Sequence, residues 1–221
     1  MKLKLFPLII IGLLLGSVVA QEEAITPGME KDDSKDLKPG DIAPSWALMY
    51  APGKFEFLRT WSEEEGKKLR LIVSQPDRHT VLMSFFATWC KPCMKELPLL
   101  EEVYQKYKDE RIKFFLVDIT EATRNNPGEV YGVAYKDVPV AGPFLKNKGV
   151  TMQILFDTRG VVMKNYNAQT LPRLFLMDGN RKITLTRRGF HDGEEKKFKT
   201  DLSVEIERLL AELPPPKNET N

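Results

Sequence analysis

Short apolar runs recur along the middle of the chain, and between them apolar residues return every three or four positions. The runs are rich in β-branched and aromatic residues and are short enough to be buried strands. Five strands are predicted, at 80–86, 113–119, 152–156, 173–177 and 182–187. The last two flank Asp178-Gly179-Asn180, a sequence typical of the turn between two antiparallel strands.

Helical spacing occurs in three places, twice between strands and once after the last strand. After the first strand, apolar residues recur on one helix face with lysines and glutamates between them. They are Met94, Leu97, Leu100, Val103, Tyr104 and Tyr107. A short helix is predicted at 141–148, and a closing amphipathic helix at 192–213. The closing helix has an apolar stripe of Phe198, Leu202, Ile206, Leu209 and Leu210. This order of elements predicts an α/β fold with a central mixed sheet flanked by helices.

The first twenty residues have the layout of an export signal. Lys2 and Lys4 give a positive start, an apolar stretch covers 5–15, and small residues lead to Ala20. We expect a signal peptide at 1–20 and a periplasmic protein that is soluble once the leader is cleaved. An N-terminal membrane anchor is the alternative, although the apolar run is shorter than the roughly 20 residues of a spanning helix.

Composition divides the remainder into one domain with polar ends. Residues 21–37 are charged and aperiodic and predict a flexible spacer, and the proline-rich stretch at 214–221 predicts a disordered tail. Between them, 38–213 is predicted to form the domain, and a hydrophobic fraction of 42% can supply its core. The net charge of +2 comes from interspersed charges of both signs, which argues against a nucleic-acid partner.

The chain has only two cysteines, Cys90 and Cys93. A bridge between them closes too small a loop to stabilise the fold much, so in an exported protein the pair is predicted to be redox-active. A pair of inert buried thiols is the plainer alternative. No metal site is expected, because a zinc site needs two further ligands and the only histidines are His79 and His191.

The position of the pair assigns a role to each thiol. A strand that ends at Cys90 and turns into a helix places this thiol at the helix N-terminus, where its pKa is lowered. Pro92 suits the first helical turn, since it lacks an N–H that would have no partner there. Cys90 is therefore predicted to attack a substrate disulfide. Cys93, one turn deeper and less exposed, is predicted to resolve the mixed disulfide.

Three segments resemble a known family. The active-site segment 85–98 (FFATWCKPCMKELP), the upstream segment 38–44 (KPGDIAP) and the downstream segment 170–179 (TLPRLFLMDG) are similar to TlpA/ResA-like thiol-disulfide oxidoreductases. The resemblance implies a thioredoxin fold with an N-terminal β-hairpin and a family-type insertion. It also implies no cofactor beyond a redox-active Cys90–Cys93 disulfide.

The resemblance carries several positions over to this chain. Pro172 matches the family's cis-proline, which together with Leu171 lies against the cysteines and leaves backbone groups free to pair with an extended substrate. Trp89 and Pro92 are implied to pack at the active site. Glu96 matches an acidic residue that could carry the proton of the resolving thiol.

Other positions in these segments concern the helix or depart from the family. Pro98 matches a proline that is predicted to kink the first helix. Ser84 stands where thioredoxin has a buried aspartate, which shifts the proton role towards Glu96. Arg173 follows the proline where the family usually has a small hydroxyl residue.

Two regions differ from a minimal chain of this kind. Residues 62–79 are longer than a simple connection and strongly charged, and predict a surface insertion. Residues 131–140 fall where the family inserts extra elements and varies its partners.

The expected function is reduction of disulfides in other exported proteins, as in relatives that mature cytochrome c or copper sites. Such a protein would receive electrons from a membrane donor of the DsbD/CcdA type. An oxidant that introduces disulfides is the alternative, and Lys91-Pro92 favours the reductant because it lacks the histidine of strong oxidants. A copper-carrying module using His191, and a binding domain with an idle dithiol, are further alternatives.

Overall fold

The computed structural model describes residues 24–25, 36–62, 77–124 and 140–216. The strands in these ranges are β1 (Ala24–Ile25), β2 (Ala47–Ala51), β3 (Lys54–Phe57), β4 (Thr80–Phe86), β5 (Ile112–Asp118), β6 (Gln153–Phe156), β7 (Thr170–Leu171), β8 (Arg173–Met177) and β9 (Ile183–Arg188). The helices are α1 (Leu58–Trp61), α2 (Lys91–Tyr107), α3 (Thr120–Arg124), α4 (Ala141–Asn147), α5 (Val161–Asn165) and α6 (Glu195–Glu212).

One mixed sheet forms the centre of the molecule. Its strands lie in the order β3-β2-β6-β5-β4-β8-β9. β4, β5 and β6 are parallel, and the outer strands pair antiparallel. Every residue of β4 is buried, which explains why its sequence is a continuous apolar run rather than an alternating one. The predicted α/β fold with an N-terminal hairpin, β2–β3, is confirmed.

The two long helices pack against each other beside the sheet. α2 buries the predicted positions Leu97, Leu100, Val103 and Tyr107, and α6 buries Phe198, Leu202, Ile206 and Leu209. Exposed ion pairs join their outer faces, including Lys106–Glu207 and Lys199–Glu102. The helix α2 continues through Pro98 without a break.

Strand register brings the active-site loop and the proline loop to the same end of the sheet. Phe85 near the end of β4 pairs with Arg173 at the start of β8. The chain leaves β4 at Phe86 and reaches Cys90 four residues later, whereas Pro172 immediately precedes Arg173. The dithiol and the proline therefore lie where β4 ends and β8 begins.

The predicted spacer at 21–37 includes residues that the structure describes. Ala24–Ile25 pairs antiparallel with Thr170–Leu171, and Asp36 accepts a hydrogen bond from Asn167 at 2.7 Å. A charged, aperiodic sequence predicts no packed core, but it does not exclude main-chain pairing and ion pairs. Ala24–Ile25 and Asp36 thus have partners in the structure, and a flexible spacer at 21–37 stays a prediction.

Several predicted segments lie wholly or mostly outside the described residues. They are the leader at 1–20, most of the insertion at 62–79, the insertion at 131–140 apart from Val140, and the tail beyond residue 216. In the parts of the chain that are described, no helix is both long and apolar enough to cross a membrane.

Candidate active site

The active-site helix begins at the dithiol. Cys90 and Cys93 form a disulfide, and Cys90 occupies the N-cap position of α2 with an extended backbone. The Cys93 backbone N–H donates a hydrogen bond to Cys90 Sγ over 3.2 Å. The sulfur therefore takes the place of the side-chain oxygen that usually caps a helix. The same N–H and the helix dipole would stabilise a thiolate on Cys90 after reduction.

The two sulfurs are equally inaccessible, contrary to the sequence prediction. Cys90 is 0% exposed and Cys93 is 1% exposed, so the expected difference in exposure is wrong for this disulfide form. The geometry of a helix predicts only where each cysteine lies along it, and does not predict which other parts of the protein cover each sulfur. Here the disulfide belongs to one hydrophobic cluster with Trp89 and Leu171, and this packing removes Cys90 from solvent as completely as Cys93.

Two threonines of α3 hold the loop that leads to Cys90. The Trp89 indole N–H donates to Thr123 Oγ1 over 2.8 Å, and the Thr88 backbone N–H donates to Thr120 Oγ1 over 3.0 Å. Thr123 Oγ1 in turn donates to the Thr120 carbonyl. Sequence reasoning missed both threonines, because nothing in their spacing links them to a tryptophan more than thirty residues away.

Glu96 is a buried carboxyl group on the same face of α2 as Cys93. Residues three apart on a helix have Cβ atoms about 5–6 Å from each other. Glu96 is 1% exposed, and its Oε1 accepts a hydrogen bond from Ser84 Oγ over 3.0 Å. Burial raises the pKa of Glu96 to about 7, and the opposing effects of the Ser84 hydrogen bond and the Arg187 charge are smaller. Its Oε2 has no hydrogen-bond partner among the described residues.

The remaining predicted site residues lie on both sides of the dithiol. Pro92 is in the first turn of α2 and half-buried, and Leu171 and Pro172 are buried. The Leu171–Pro172 peptide bond is cis. Arg173, directly after it, is buried against Phe175 with its guanidinium carbon 4.6 Å from the ring centroid.

Within the described residues, no cluster of three or more histidine, cysteine or acidic side chains is arranged to hold a metal ion. His191, named above as a copper ligand, is half-buried in the loop before α6.

A mixed sheet, a long helix that begins at a CxxC disulfide and a cis-proline beside it define a protein of the thioredoxin superfamily. The Redoxin family profile matches residues 51–202, more than half of the chain. The chain therefore belongs to the Redoxin family, and its relatives place it among the TlpA/ResA-like proteins.

Two relatives carry names that describe an activity. The chain is 30% identical over 131 residues to the thiol-disulfide oxidoreductase ResA of Bacillus thuringiensis subsp. konkukian (strain 97-27), covering 59% of this chain and 66% of ResA. It is 27% identical over 130 residues to the sporulation thiol-disulfide oxidoreductase A of Bacillus subtilis (strain 168), covering 58% of this chain and 72% of that protein. The match thus spans just under two thirds of ResA.

Solved structures share the fold. A Chlorobium tepidum protein, provisionally assigned as the thiol:disulfide interchange protein DsbE, superposes with a TM-score of 0.55 at 22% identity, covering 77% of this chain and 99% of that one. A Bacteroides thetaiotaomicron protein, provisionally assigned as a protein disulfide isomerase, has the same TM-score and identity, with 79% and 91% covered.

Proposed function

We propose that this protein is an exported thiol-disulfide oxidoreductase that reduces disulfides in other extracytoplasmic proteins. The observation that carries the proposal is the Cys90–Cys93 disulfide at the start of α2, with the Cys93 N–H directed at Cys90 Sγ. The names of the Bacillus relatives support the same chemistry. The leader-like sequence at 1–20 supports export to the periplasm.

The reaction transfers two electrons through one mixed disulfide. In the reduced protein, the Cys90 thiolate attacks one sulfur of a substrate disulfide, and the other substrate sulfur leaves as a thiolate. Cys93 then loses its proton and attacks Cys90 Sγ. The bond between Cys90 and the substrate breaks, the second substrate thiolate leaves, and the Cys90–Cys93 disulfide forms.

Glu96 is the group proposed to accept the Cys93 proton. An acceptor works best when its pKa lies near the working pH, and burial brings the pKa of Glu96 to about 7. Its Oε1 is held by Ser84, whereas Oε2 lacks a described partner and is available for a proton. Trp89, Leu171 and Pro172 are proposed to pack around the sulfurs while the substrate is bound.

The proposed direction of electron flow is from a membrane donor, through this dithiol, to the substrate. A donor of the DsbD/CcdA type would supply two electrons and two protons to regenerate the thiols. Lys91-Pro92 supports a reducing role, because it retains the proline of reducing thioredoxins. Proteins under maturation, such as apocytochrome c or a copper-site factor, are the proposed substrate class.

Trapping the mixed disulfide tests the reaction. Cys93→Ser removes the resolving thiol, so Cys90 should remain bound to its substrate and yield reducible adducts in cells. The double variant Cys90→Ser/Cys93→Ser is the control and should yield none. If Cys93→Ser gives no adducts and the purified wild-type protein reduces no disulfide with dithiothreitol as electron source, the proposed chemistry is wrong.

The reduction potential tests the direction. We expect a value nearer to thioredoxin's, about −270 mV, than to DsbA's, about −120 mV. Equilibration with glutathione buffers, followed by thiol alkylation, measures it. A value near that of DsbA would make the protein an oxidant.

A further inference from the structure

Part of the N-terminal segment lies on the backbone edge beside the proline loop. β1 pairs antiparallel with β7, with Ala24 opposite Leu171 and Ile25 opposite Thr170. β7 is the segment that immediately precedes cis-Pro172, and the main sheet does not include it. The edge that an extended substrate would use is therefore paired with the protein's own chain.

A second attachment holds the same segment farther along. Asp36 Oδ1 accepts hydrogen bonds from Asn167 Nδ2, at 2.7 Å, and from Arg188 Nη2. Arg173 Nη2 lies 4.0 Å from the same oxygen and donates to the Leu37 carbonyl over 3.5 Å. Asn167 precedes β7 and Arg173 follows Pro172. Asp36 is thus fixed by residues on both sides of the proline loop, and we call this group the Asp36 clasp.

The burial of the sulfurs shows that the described form is closed. In this disulfide form, a donor thiolate can react only if it approaches one of the two sulfurs, yet Cys90 is 0% and Cys93 1% exposed. After reduction, a substrate disulfide must reach the same Cys90 sulfur. Reaction with a folded partner therefore requires a group near the dithiol to move. The pairing of β1 with β7 is a suitable candidate, because two residues make too short a ladder to be stable alone.

We propose that Ala24–Ile25 is an intramolecular strap that occupies the substrate's main-chain position and must be displaced before a protein disulfide can react. A substrate strand longer than two residues would add more hydrogen bonds to the same edge and so replace the strap. The clasp keeps the displaced strap close enough to return when the product leaves. This inference rests on the proposed function, since the strap competes with a disulfide-bearing substrate.

Proline substitution in β1 tests the strap in the full chain. Ala24→Pro/Ile25→Pro removes both backbone N–H groups of the short strand and prevents pairing. With dithiothreitol as electron source, KM for insulin should fall about five- to tenfold, as expected if the strap leaves the site free only ~10–20% of the time. The rate with hydroxyethyl disulfide, which has no main chain to pair, should change little.

A matched control separates pairing from side-chain effects. Ala24→Val/Ile25→Val keeps both N–H groups and favours a strand, so its KM for insulin should match the wild-type value. Asp36→Asn weakens the clasp and should lower KM in the same direction.

The outcomes distinguish failure of the strap from failure of the proposed function. An unchanged or higher KM in Ala24→Pro/Ile25→Pro overturns the strap while leaving the oxidoreductase intact. Loss of all disulfide reduction, in wild type and variants alike, overturns the function. In that case amide hydrogen exchange still tests the strap. The backbone N–H groups of Thr170–Leu171 should exchange several-fold faster in the proline variant than in the valine control, and equal rates would overturn the proposal.

Discussion

At the scale of single residues, burial of the Glu96 carboxyl group costs stability when the group is ionised, but it also gives the group the pKa that the proposed proton transfer needs. A carboxylate buried to 1% exposure loses its hydration, and one hydrogen bond from Ser84 replaces only part of it. The group is therefore present in both protonation states near neutral pH, since its pKa is about 7. A surface glutamate on the same helix would be ionised throughout this range and could not alternate between the two states.

The stability of the oxidised protein should therefore decline as the pH rises. The folded-state pKa of Glu96 is raised from 4.5 to about 7, so the folded state binds the proton more tightly than the unfolded state does. Its contribution is complete below pH 4.5 and is lost as the pH rises through about 7, a change of about 3 kcal/mol. Glu96→Gln should lack this dependence, which urea unfolding at pH 5 and pH 8 would measure.

A neighbouring glutamate supplies the control for this prediction. Glu102 lies on the exposed face of the same helix, paired with Lys199. Glu102→Gln should leave the pH dependence of the free energy of unfolding as in wild type. If Glu96→Gln shows the wild-type pH dependence as well, the elevated pKa of Glu96 is wrong.

Sequence reasoning named the proposed reacting residues but not the residues that contact them. Cys90, Cys93 and Glu96 lie within seven positions, so helical spacing alone relates them. Thr123, which holds the Trp89 indole, and Arg187, which faces Glu96, come from distant elements. Their contacts depend on strand register and on the packing of elements, which no local pattern determines.

At the scale of elements, the turn between β8 and β9 shows a correct prediction with a different physical basis. Asp178-Gly179-Asn180 does mark the hairpin, and Asp178 Oδ1 accepts from the backbone N–H groups of Asn180 and Lys182. The residue with positive φ is Arg181, at 67°, rather than the glycine. Gly179 is needed for space instead, because a Cβ there would lie 3.1 Å from side-chain atoms of Arg78 and Leu213.

The helix α5 was not predicted, and its start depends on one side chain. Asp157 Oδ1 accepts from the Val161 N–H over 3.0 Å, and Oδ2 accepts from the Met163 N–H over 2.7 Å. A five-residue helix is too short for a periodic apolar pattern to show in the sequence. In the sequence, Asp157 could be recognised only as part of a turn after the strand now seen as β6.

Removal of this cap should destabilise the protein. Asp157→Ala leaves two backbone N–H groups at the start of α5 without their acceptor, and we expect a loss of about 1–2 kcal/mol in the free energy of unfolding. Asp157→Asn retains one acceptor oxygen and should lose less. Chemical denaturation of the three proteins measures the series. Equal stability of all three would show that α5 does not depend on the cap.

At the scale of the whole molecule, apolar burial rather than surface charge joins α6 to the rest. Leu202 is fully buried, whereas the ion pair between Lys199 and Glu102 lies on the surface. Leu202→Ala should lower the free energy of unfolding by about 2–5 kcal/mol through lost contacts and a cavity. Lys199→Ala should lower it by less than about 1 kcal/mol.

Thermal or urea unfolding of both variants checks this difference. If Lys199→Ala lowers the free energy of unfolding as much as Leu202→Ala does, the ion pairs between α2 and α6 contribute more than exposed ion pairs usually do. Addition of salt would then reduce the stability of the wild-type protein by a similar amount.

The order of strands and helices along the chain was predictable from the sequence, but the positions of β1 and of the hairpin β2–β3 were not. Alternating strands and helices indicated a mixed sheet, because each apolar run needed cover on both faces. The hairpin β2–β3 was expected only from the family resemblance, and its placement beside β6 was not predicted. The pairing of Ala24–Ile25 with Thr170–Leu171 could not be predicted, because main-chain hydrogen bonds require no particular pattern of side chains.

The possession of one disulfide and no other cysteine has a consequence for biosynthesis. Two cysteines allow a single intrachain pairing, so this chain has no wrong disulfide within itself to form and needs no isomerase to correct one. The hydrophobic core also extends far beyond the dithiol, through the sheet and both long helices. Opening the Cys90–Cys93 bond therefore leaves in place the apolar packing that joins the sheet to both long helices.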